Sequence, residues 1–412
     1  MSYIARMALR NLTRNTRRSV LSALAIVIAL ALIVFAQGFI RGMLDQTADN
    51  TARLKTGHLR IADEDYLRQE RLLPLSEAID AGPELDSIIA GLPGVRASSK
   101  RIRFGVLLDH DGNNVPAMGL GIEPEAERDI LRLQEVIAEG QYLSGAGDEL
   151  LMGRGLANKL GIGVGDTLVL ITQTAYGSPT GANLLVRGIV ESGVGQLDGT
   201  HFFISLTAAR RLLDLENRAS EVILMLDDPG RASVLAGQLR QELADAGYEG
   251  VAVLGMKSDP IMAYMSMAEA IYFIIYLVIL LVASTAIINT MLMVVFERTR
   301  EIGMMKALGM SERSVLGVLV LESGFIGLAG SIAGVLLGSA LVLALAPHGV
   351  DFSSAMGGDA NPTLIAGLVH PQLTALAVVV SFLLGLVLSL AVGVMAARQA
   401  GRLSPAEALR TI

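Results

Sequence analysis

The chain of 412 residues contains no cysteine. Disulfide bonds and zinc sites of the cysteine type are therefore excluded. Any folded domain must be stabilised by its own apolar core. The absence does not identify the compartment, because an exported protein can omit disulfides.

The sequence also lacks the common catalytic motifs. It contains no G-x-x-x-x-G-K-[ST], H-E-x-x-H or G-x-S-x-G, and its five histidines are scattered. Residues 109–113 (DHDGN) resemble the start of a calcium loop, but Gly at the sixth place and Glu at the twelfth are missing, which favours a hairpin turn. We therefore predict that the chain is not an enzyme and holds no catalytic residue, metal site or cofactor of its own.

Charged residues are absent from four long apolar runs, residues 19–40, 270–296, 323–350 and 371–397. Each run reaches the roughly 20 residues that a helix needs to cross a bilayer. We predict transmembrane helices at 19–40, 270–296, 314–350 and 371–397.

The first run follows Arg17 and Arg18, as the apolar core of a signal peptide would. Its 22 residues exceed the usual length of that core, about 7–15 residues, so we interpret the run as a retained anchor.

The distribution of Lys and Arg predicts the topology. Residues 1–18 contain five Arg and no acid, and the tail 398–412 is also basic, whereas the loop 351–370 contains two Asp and no Lys or Arg. Under the positive-inside rule, residues 1–18, 297–313 and 398–412 are cytoplasmic, and 41–269 and 351–370 lie outside. Residues 1–18 are expected to form a basic amphipathic helix at the lipid surface; the alternative is a solvated basic tail.

Residues 41–269 are predicted to form a large α+β extracytoplasmic domain between the first two transmembrane helices. We predict strands at 101–108, 115–122, 167–172, 183–191, 201–206 and 221–227, and helices at 83–91, 123–137, 150–160, 207–215 and 229–246. Residues 116–205 are richer in Gly and strand patterns, which suggests an inserted subdomain. The segment holds 33 acidic and 21 basic residues, which argues against nucleic-acid binding.

The loop 297–313 (ERTREIGMMKALGMSER) is the most informative stretch. Ile302, Met305 and Leu308 have helical spacing, Gly309 is typical of a helix C-terminus, and Ser311 is a good N-cap for the next helix. A short capped helix with an apolar stripe suits docking in a groove of another protein; the alternative is a plain connecting loop. The residues predicted to couple the chain to such a partner are Arg300, Glu301, Ile302, Met304, Met305, Lys306, Leu308 and Gly309.

Small residues recur in the last two apolar runs. Gly330, Gly334 and Gly338 form a small-xxx-small series, and Gly385, Ser389 and Gly393 form another. Such faces allow close helix packing in lipid, within a subunit or between subunits. Glu322 lies near the start of the third run. Its carboxylate either lies at the membrane interface or is a buried functional group, and the sequence leaves both interpretations possible.

Three methionines, Met262, Met265 and Met267, precede the second run. Methionine fills irregular, changeable surfaces. We consider packing at the membrane edge and a substrate entrance; a copper site is disfavoured because no His or Cys stands nearby.

The arrangement resembles the MacB/FtsX-type permeases of ABC transporters. The resemblance rests on residues 10–12 (RNL) with Arg17 and Arg18, on 297–303 (ERTREIG) with 306–309 (KALG), and on 404–410 (SPAEALR). In length and domain size the chain is similar to the lipoprotein-releasing LolC and LolE permeases. The resemblance implies a Porter-like extracytoplasmic domain with an inserted subdomain, in the periplasm of a cell whose inner membrane holds the spans.

That resemblance also implies partners. We expect two copies of a separate ATPase that binds ATP and Mg²⁺, a second permease in a homodimer or heterodimer, membrane lipid, and a lipoprotein or other periplasmic partner. We expect transport by mechanotransmission, with lipoprotein release as the leading case. The alternatives are MacB-like export of a drug or peptide, and control of an external hydrolase without transport.

Overall fold

The computed structural model describes residues 6–8, 10, 16–145, 147–297, 304, 310–352 and 366–401. Two compact units divide these residues. The helical unit comprises 1–43, 266–350 and 370–412, and the α+β unit comprises 44–265 and 351–369.

Four long helices carry the apolar runs, namely α1 (Thr16–Thr51), α9 (Pro260–Glu297), α10 (Glu312–Leu345) and α11 (Ala375–Gly401). Among the described residues, four helices are long and apolar enough to cross a membrane. Most elements of the α+β unit come from the chain between α1 and α9, and one short strand pair comes from the chain between α10 and α11. The predicted cytoplasmic segments 1–18 and 398–412 fall largely outside the described residues, with the tail's 404–410 motif wholly outside them.

The helix bounds differ from those predicted, for local reasons. Helix α1 continues to Thr51 rather than ending near residue 40, because Leu44, Thr47 and Thr51 keep a buried stripe at helical spacing. Helix α10 ends at Leu345 rather than 350, just before Pro347. Helix α11 begins at Ala375 rather than 371, where the Thr374 hydroxyl accepts a hydrogen bond from the Ala377 amide (3.2 Å).

Helix α9 begins at Pro260, ten residues before the predicted span. The Asp259 carboxylate accepts a hydrogen bond from the Ile261 amide at 2.9 Å, and this capping starts the helix. The methionine-containing segment therefore forms the first turns of α9.

The α+β unit is organised by a ten-stranded mixed sheet. Its strands are β1 (Leu59–Asp63), β3 (Val95–His110), β4 (Asn113–Ile122), β5 (Ile137–Gly140), β6 (Glu149–Gly153), β7 (Thr167–Gln173), β8 (Pro179–Val190), β9 (His201–Ser205), β11 (Glu221–Leu226) and β12 (Val251–Gly255). Their order in the sheet is β12-β1-β11-β3-β4-β9-β6-β8-β5, with β7 pairing to β3 and β8. Short pairs form from β2 (Ile79–Asp80) with β10 (Arg218–Ala219) and from β13 (Val350–Asp351) with β14 (Leu368–Val369).

In the part of the chain that the structure describes, seven short helices accompany the sheet: α2 (Glu64–Arg68), α3 (Pro83–Gly91), α4 (Pro124–Ile130), α5 (Arg154–Leu160), α6 (Gly195–Thr200), α7 (Leu206–Leu213) and α8 (Ala232–Asp245). One apolar cluster joins α3 and α8 to β1, β11 and β12; a second joins α5 and α7 to strands between β3 and β9. The sheet is continuous through both clusters, because β11 pairs with β3.

The prediction of a single helix over 150–160 was wrong in its first part. Residues 149–153 are the fully buried strand β6, and α5 begins only at Arg154. A short apolar run cannot be assigned to strand or helix by periodicity alone. The helix predicted over 123–137 likewise ends at Ile130, followed by a 3-10 turn over Leu133–Val136.

Candidate functional site

The predicted coupling residues lie mostly outside the described residues. Of that set, the structure describes only Met304, which is helical and 47% exposed. The flank that follows is described: Ser311 is the N-cap of α10, with its hydroxyl 3.3 Å from the Ser314 amide. Met310 packs against the apolar cluster that contains Val315, so the position where the chain enters α10 is fixed.

The glycine series of α10 faces α1 of the same chain. A Cβ atom built on Gly330 would lie 2.9 Å from Cβ of Ile26, and one on Gly338 would lie 2.8 Å from the Ala31 carbonyl oxygen. On Gly334 it would lie 2.9 Å from the Val27 carbonyl oxygen. We call these three glycines the glycine seam. Only hydrogen fits at its three positions, which lets the two helices approach closely.

Small residues of α11 face α10. A Cβ atom on Gly385 would lie 2.5 Å from the Ser331 hydroxyl, and one on Gly393 would overlap the Ser323 side chain. Ser389 contacts Gly327 in the same way. Within the helical unit, α10 is therefore packed closely on both sides, against α1 and α11. Glu322 of α10 is 4% exposed, so protein surrounds its side chain.

The methionine segment borders a cavity of about 440 Å³ in the α+β unit. Pro260 and Tyr264 of α9 line it, together with Leu54, Arg103, Leu120 and Phe203, whereas Met262, Met265 and Met267 do not. His201 also lines the cavity, and burial lowers the pKa of its imidazole to about 4, which keeps it neutral. Pro260 and Tyr264, rather than the three methionines, are the residues of this stretch of α9 that reach the cavity wall.

The end of α1 is held by two arginines that the sequence did not single out. After Thr51 the chain forms a π turn over Ala52–Thr56. From β3, Arg101 donates to the carbonyl oxygens of Arg53 (2.7 Å) and Leu54 (3.2 Å). Arg103 donates to the carbonyl oxygens of Leu54 (2.8 Å) and Lys55 (3.3 Å). We call this pair the arginine clamp. Helix C-termini present unpaired carbonyl groups, which suit cations.

Buried carboxylates fix the orientation of the clamp. Arg101 makes a bidentate pair with Glu127, at 2.6 and 2.9 Å, and both side chains are fully buried. Arg103 pairs with Glu221 at 2.8 Å, and Arg60 pairs with the same carboxylate at 2.6 Å. The paired, buried guanidinium groups are thereby held in one geometry.

The pKa of Glu221 reflects the positive charges of the arginines around it. Desolvation by itself raises the pKa of this carboxyl, but the guanidinium groups of Arg103, Arg60 and Arg101 outweigh it and hold the pKa below its usual range. Nearby, burial first and the Glu221 charge second raise the pKa of the Tyr66 hydroxyl to about 12. The carboxylate therefore stays ionised and the phenol neutral at physiological pH.

A further ion pair joins the π turn to α9. The Lys55 ammonium lies 2.7 Å from the Asp259 carboxylate, whose side chain is 6% exposed. The other oxygen of this carboxylate caps α9. One buried carboxylate thus contacts the end of the first long helix and the start of the second.

A sequence signal for the clamp did exist. Residues 100–103 (KRIR) place three cations at the beginning of the strand predicted over 101–108, next to apolar residues. The alternation of side chains along a strand places Arg101 and Arg103 on the same face of the sheet. It does not predict that other parts of the chain bury this face. In the part of the chain that the structure describes, no group of three or more His, Cys, Asp or Glu is placed to hold a metal ion.

Comparison with known families and proteins agrees with this architecture. Residues 19–242 match the family described as MacB-like periplasmic core domain, and residues 273–405 match FtsX-like permease C-terminal. The chain is 25% identical over 325 residues to the lipoprotein-releasing system transmembrane protein LolC of Neisseria meningitidis serogroup B, covering 77% of this chain and 74% of that protein.

The chain is also similar to two proteins named MacB. The macrolide export ATP-binding/permease protein MacB of an Azoarcus species is 25% identical, covering 98% of this chain and 58% of that protein. The periplasmic region of MacB from Actinobacillus actinomycetemcomitans is 12% identical, with a TM-score of 0.36, covering 53% of this chain and 92% of that one.

Proposed function

The chain belongs to the MacB- and FtsX-like family of ABC transporter permeases, and from this premise we propose that it transmits movement from an ATPase partner, through four membrane helices, to an extracytoplasmic α+β domain. The ATPase, present in two copies, binds ATP and Mg²⁺ and drives the cycle. The permease pairs with a second permease, identical or related. The loop 297–313 provides the contact with the ATPase.

We propose lipoprotein release from the outer leaflet of the inner membrane as the transport reaction. The observation that carries this proposal is the match to the lipoprotein-releasing LolC protein, which extends over about three quarters of both chains. MacB-like export is the second candidate, favoured by the match to MacB over 98% of this chain. Control of an external hydrolase is the third, and it predicts no movement of substrate.

The test is reconstitution of the permease complex, with its ATPase, into liposomes that contain a triacylated lipoprotein. We expect ATP to move the lipoprotein from the liposomes into the soluble fraction and the lipoprotein to stimulate ATP hydrolysis. The matched control is the same protein without its acylated cysteine, which should do neither. Equal stimulation by the unlipidated protein would contradict lipoprotein release, and stimulation by a small drug or peptide alone would favour export.

The topology is tested separately by labelling single cysteines in this cysteine-free chain. Ser311→Cys lies at the exposed start of α10, and Asp111→Cys lies at the exposed tip of the β3–β4 hairpin. In intact spheroplasts, we expect an impermeant maleimide to label the cysteine at 111 and to reach the one at 311 only after lysis. Labelling of both positions before lysis would show that the proposed orientation is wrong.

A further inference from the structure

The end of α1 combines features that are unusual in a simple connection. The π turn over Ala52–Thr56 is a rare conformation, frequent at functional positions. Gly57 follows it with φ +61°, and a Cβ atom there would lie 2.6 Å from the Ile223 side chain. The backbone can therefore take this path only with glycine, and it turns directly from the helix into β1.

The arginine clamp grips this turn from one side. Four hydrogen bonds from Arg101 and Arg103 reach three successive carbonyl groups, those of residues 53, 54 and 55. A hydrogen bond also runs in the opposite direction, from the turn to the domain: the Arg53 guanidinium donates to the carbonyl oxygen of Ile130 at 3.0 Å. Ile130 ends α4, the helix that carries Glu127. The turn is thus fixed against both β3 and α4.

The charges of the clamp are balanced within the protein. Arg101 is neutralised by Glu127, and Arg103 shares Glu221 with Arg60. A balanced, buried ionic group is poor evidence for stability, because apolar side chains of similar volume often serve equally well. The ion pair does fix the orientation of the arginine. When two N–H groups of a guanidinium are bonded to a carboxylate, its remaining N–H donors can point in only one direction. Here those donors point at the helix end.

We propose that Arg101 and Arg103 are positioning residues that make the end of α1 and the sheet move as one body, and that the Lys55–Asp259 ion pair extends this body to the start of α9. The proposal rests on the proposed function, in which movement of the membrane helices must reach the α+β domain. Without the clamp, the π turn would act as a hinge and that movement would be lost.

The experiment measures distances between spin labels in the full-length chain, in its complex with the ATPase. Labels are attached to Ala48→Cys near the end of α1 and Glu242→Cys on the exposed face of α8. In the otherwise unmodified chain we expect one narrow distance distribution, unchanged between the nucleotide-free state and a state trapped with a non-hydrolysable ATP analogue.

The main variant combines Arg101→Met with Glu127→Leu. It removes both charges together, so no buried carboxylate is left without a partner, and thermal unfolding should change little. The clamp bonds of Arg101 are lost, and we expect the narrow distribution to be replaced by a broad one. Arg101→Lys keeps the charge but not the fork, so it should broaden the distribution to an intermediate width. It also provides the test if the double variant does not fold.

The matched control is Lys100→Met with Asp86→Ala. This neighbouring ion pair, 2.7 Å long, joins Lys100 of β3 to Asp86 of α3 and does not contact the π turn. We expect the distance distribution of this control to stay narrow.

A second label pair, Ala48→Cys with Ala263→Cys, tests the Lys55–Asp259 ion pair. The variant is Asp259→Asn, which keeps a capping oxygen but removes the charge. We expect the distance distribution of this label pair to broaden in the variant.

Distributions as narrow in the double variant and in Arg101→Lys as in the unmodified chain would overturn the proposal. So would broadening in the Lys100→Met, Asp86→Ala control. The measurement needs no transported substrate, and its nucleotide-free arm needs no ATP. A failure of the clamp is therefore distinguishable from a failure of the proposed transport reaction.

Discussion

Replacing Met305 and Leu308 together by Asp is expected to release the ATPase from the permease. Burial of one Met or Leu side chain contributes about 1.5–3 kcal/mol, so two losses, with two carboxylates brought into an apolar groove, should cost several kcal/mol. Arg300, Glu301 and Lys306 would remain at the rim, where charges set orientation more than affinity. The measurement is co-purification of the ATPase, together with substrate-stimulated ATP hydrolysis.

Two controls make that result specific. Exchanging the two residues, Met305→Leu with Leu308→Met, conserves volume and polarity and should keep most of the association. The far-ultraviolet circular dichroism of the double Asp variant should match that of the unmodified chain, because the sheet and its helices do not depend on this loop. If the double Asp variant binds and stimulates its ATPase like the unmodified chain, the loop is only a connector.

The parts of the fold that depend on local signals could be predicted from the sequence. Ser311 caps α10, and Asp228 accepts a hydrogen bond from the Gly230 amide at the start of the turn that leads into α8. Gly247 has φ +84° just after α8 ends. Each signal operates within a few residues, where backbone hydrogen bonding and steric limits decide the outcome.

The parts of the fold that depend on tertiary contacts could not be predicted from the sequence. The spacing of Gly330, Gly334 and Gly338 predicts a small face but does not identify its partner, because α1 lies some 300 residues earlier in the chain. The strand β1 was missed because LRIAD is short and all but its last residue are buried, so it shows no alternation. Arg101 was assigned to a strand without its role, since the carbonyl groups it binds are 47 and 48 residues away in sequence.

These two kinds of long-range contact bear on one mechanical question. The glycine seam packs α10 against α1, and the arginine clamp of β3 holds the π turn that follows α1. Helix α1 would then receive movement along its length and deliver it at its C-terminal end. In the proposed mechanism, adding a side chain at the glycine seam should therefore impair transmission as well as packing, because it separates α10 from α1.

Gly334→Leu is accordingly expected to separate α1 from α10 and to destabilise the chain. Even a Cβ atom would lie 2.9 Å from the Val27 carbonyl oxygen and 3.0 Å from the Val27 Cα and the Leu30 Cβ. Two of these three atoms are backbone and cannot rotate away, so the helices themselves must move. Overpacking of a well-packed interior costs about 1–3 kcal/mol, and we expect the upper end of this range. The measurement is the thermal unfolding midpoint in detergent and the yield of the assembled complex.

Ala333→Leu is the matched control for that prediction. Residue 333 adjoins Gly334 on α10, but it lies on the exposed face of the helix. The same side chain added there should leave the unfolding midpoint and the assembly nearly unchanged, since it meets lipid or detergent rather than α1. Gly334→Ala, which adds only the Cβ atom, should fall between the two. An unfolding midpoint for Gly334→Leu equal to that of Ala333→Leu would mean that α1 and α10 do not pack through this glycine.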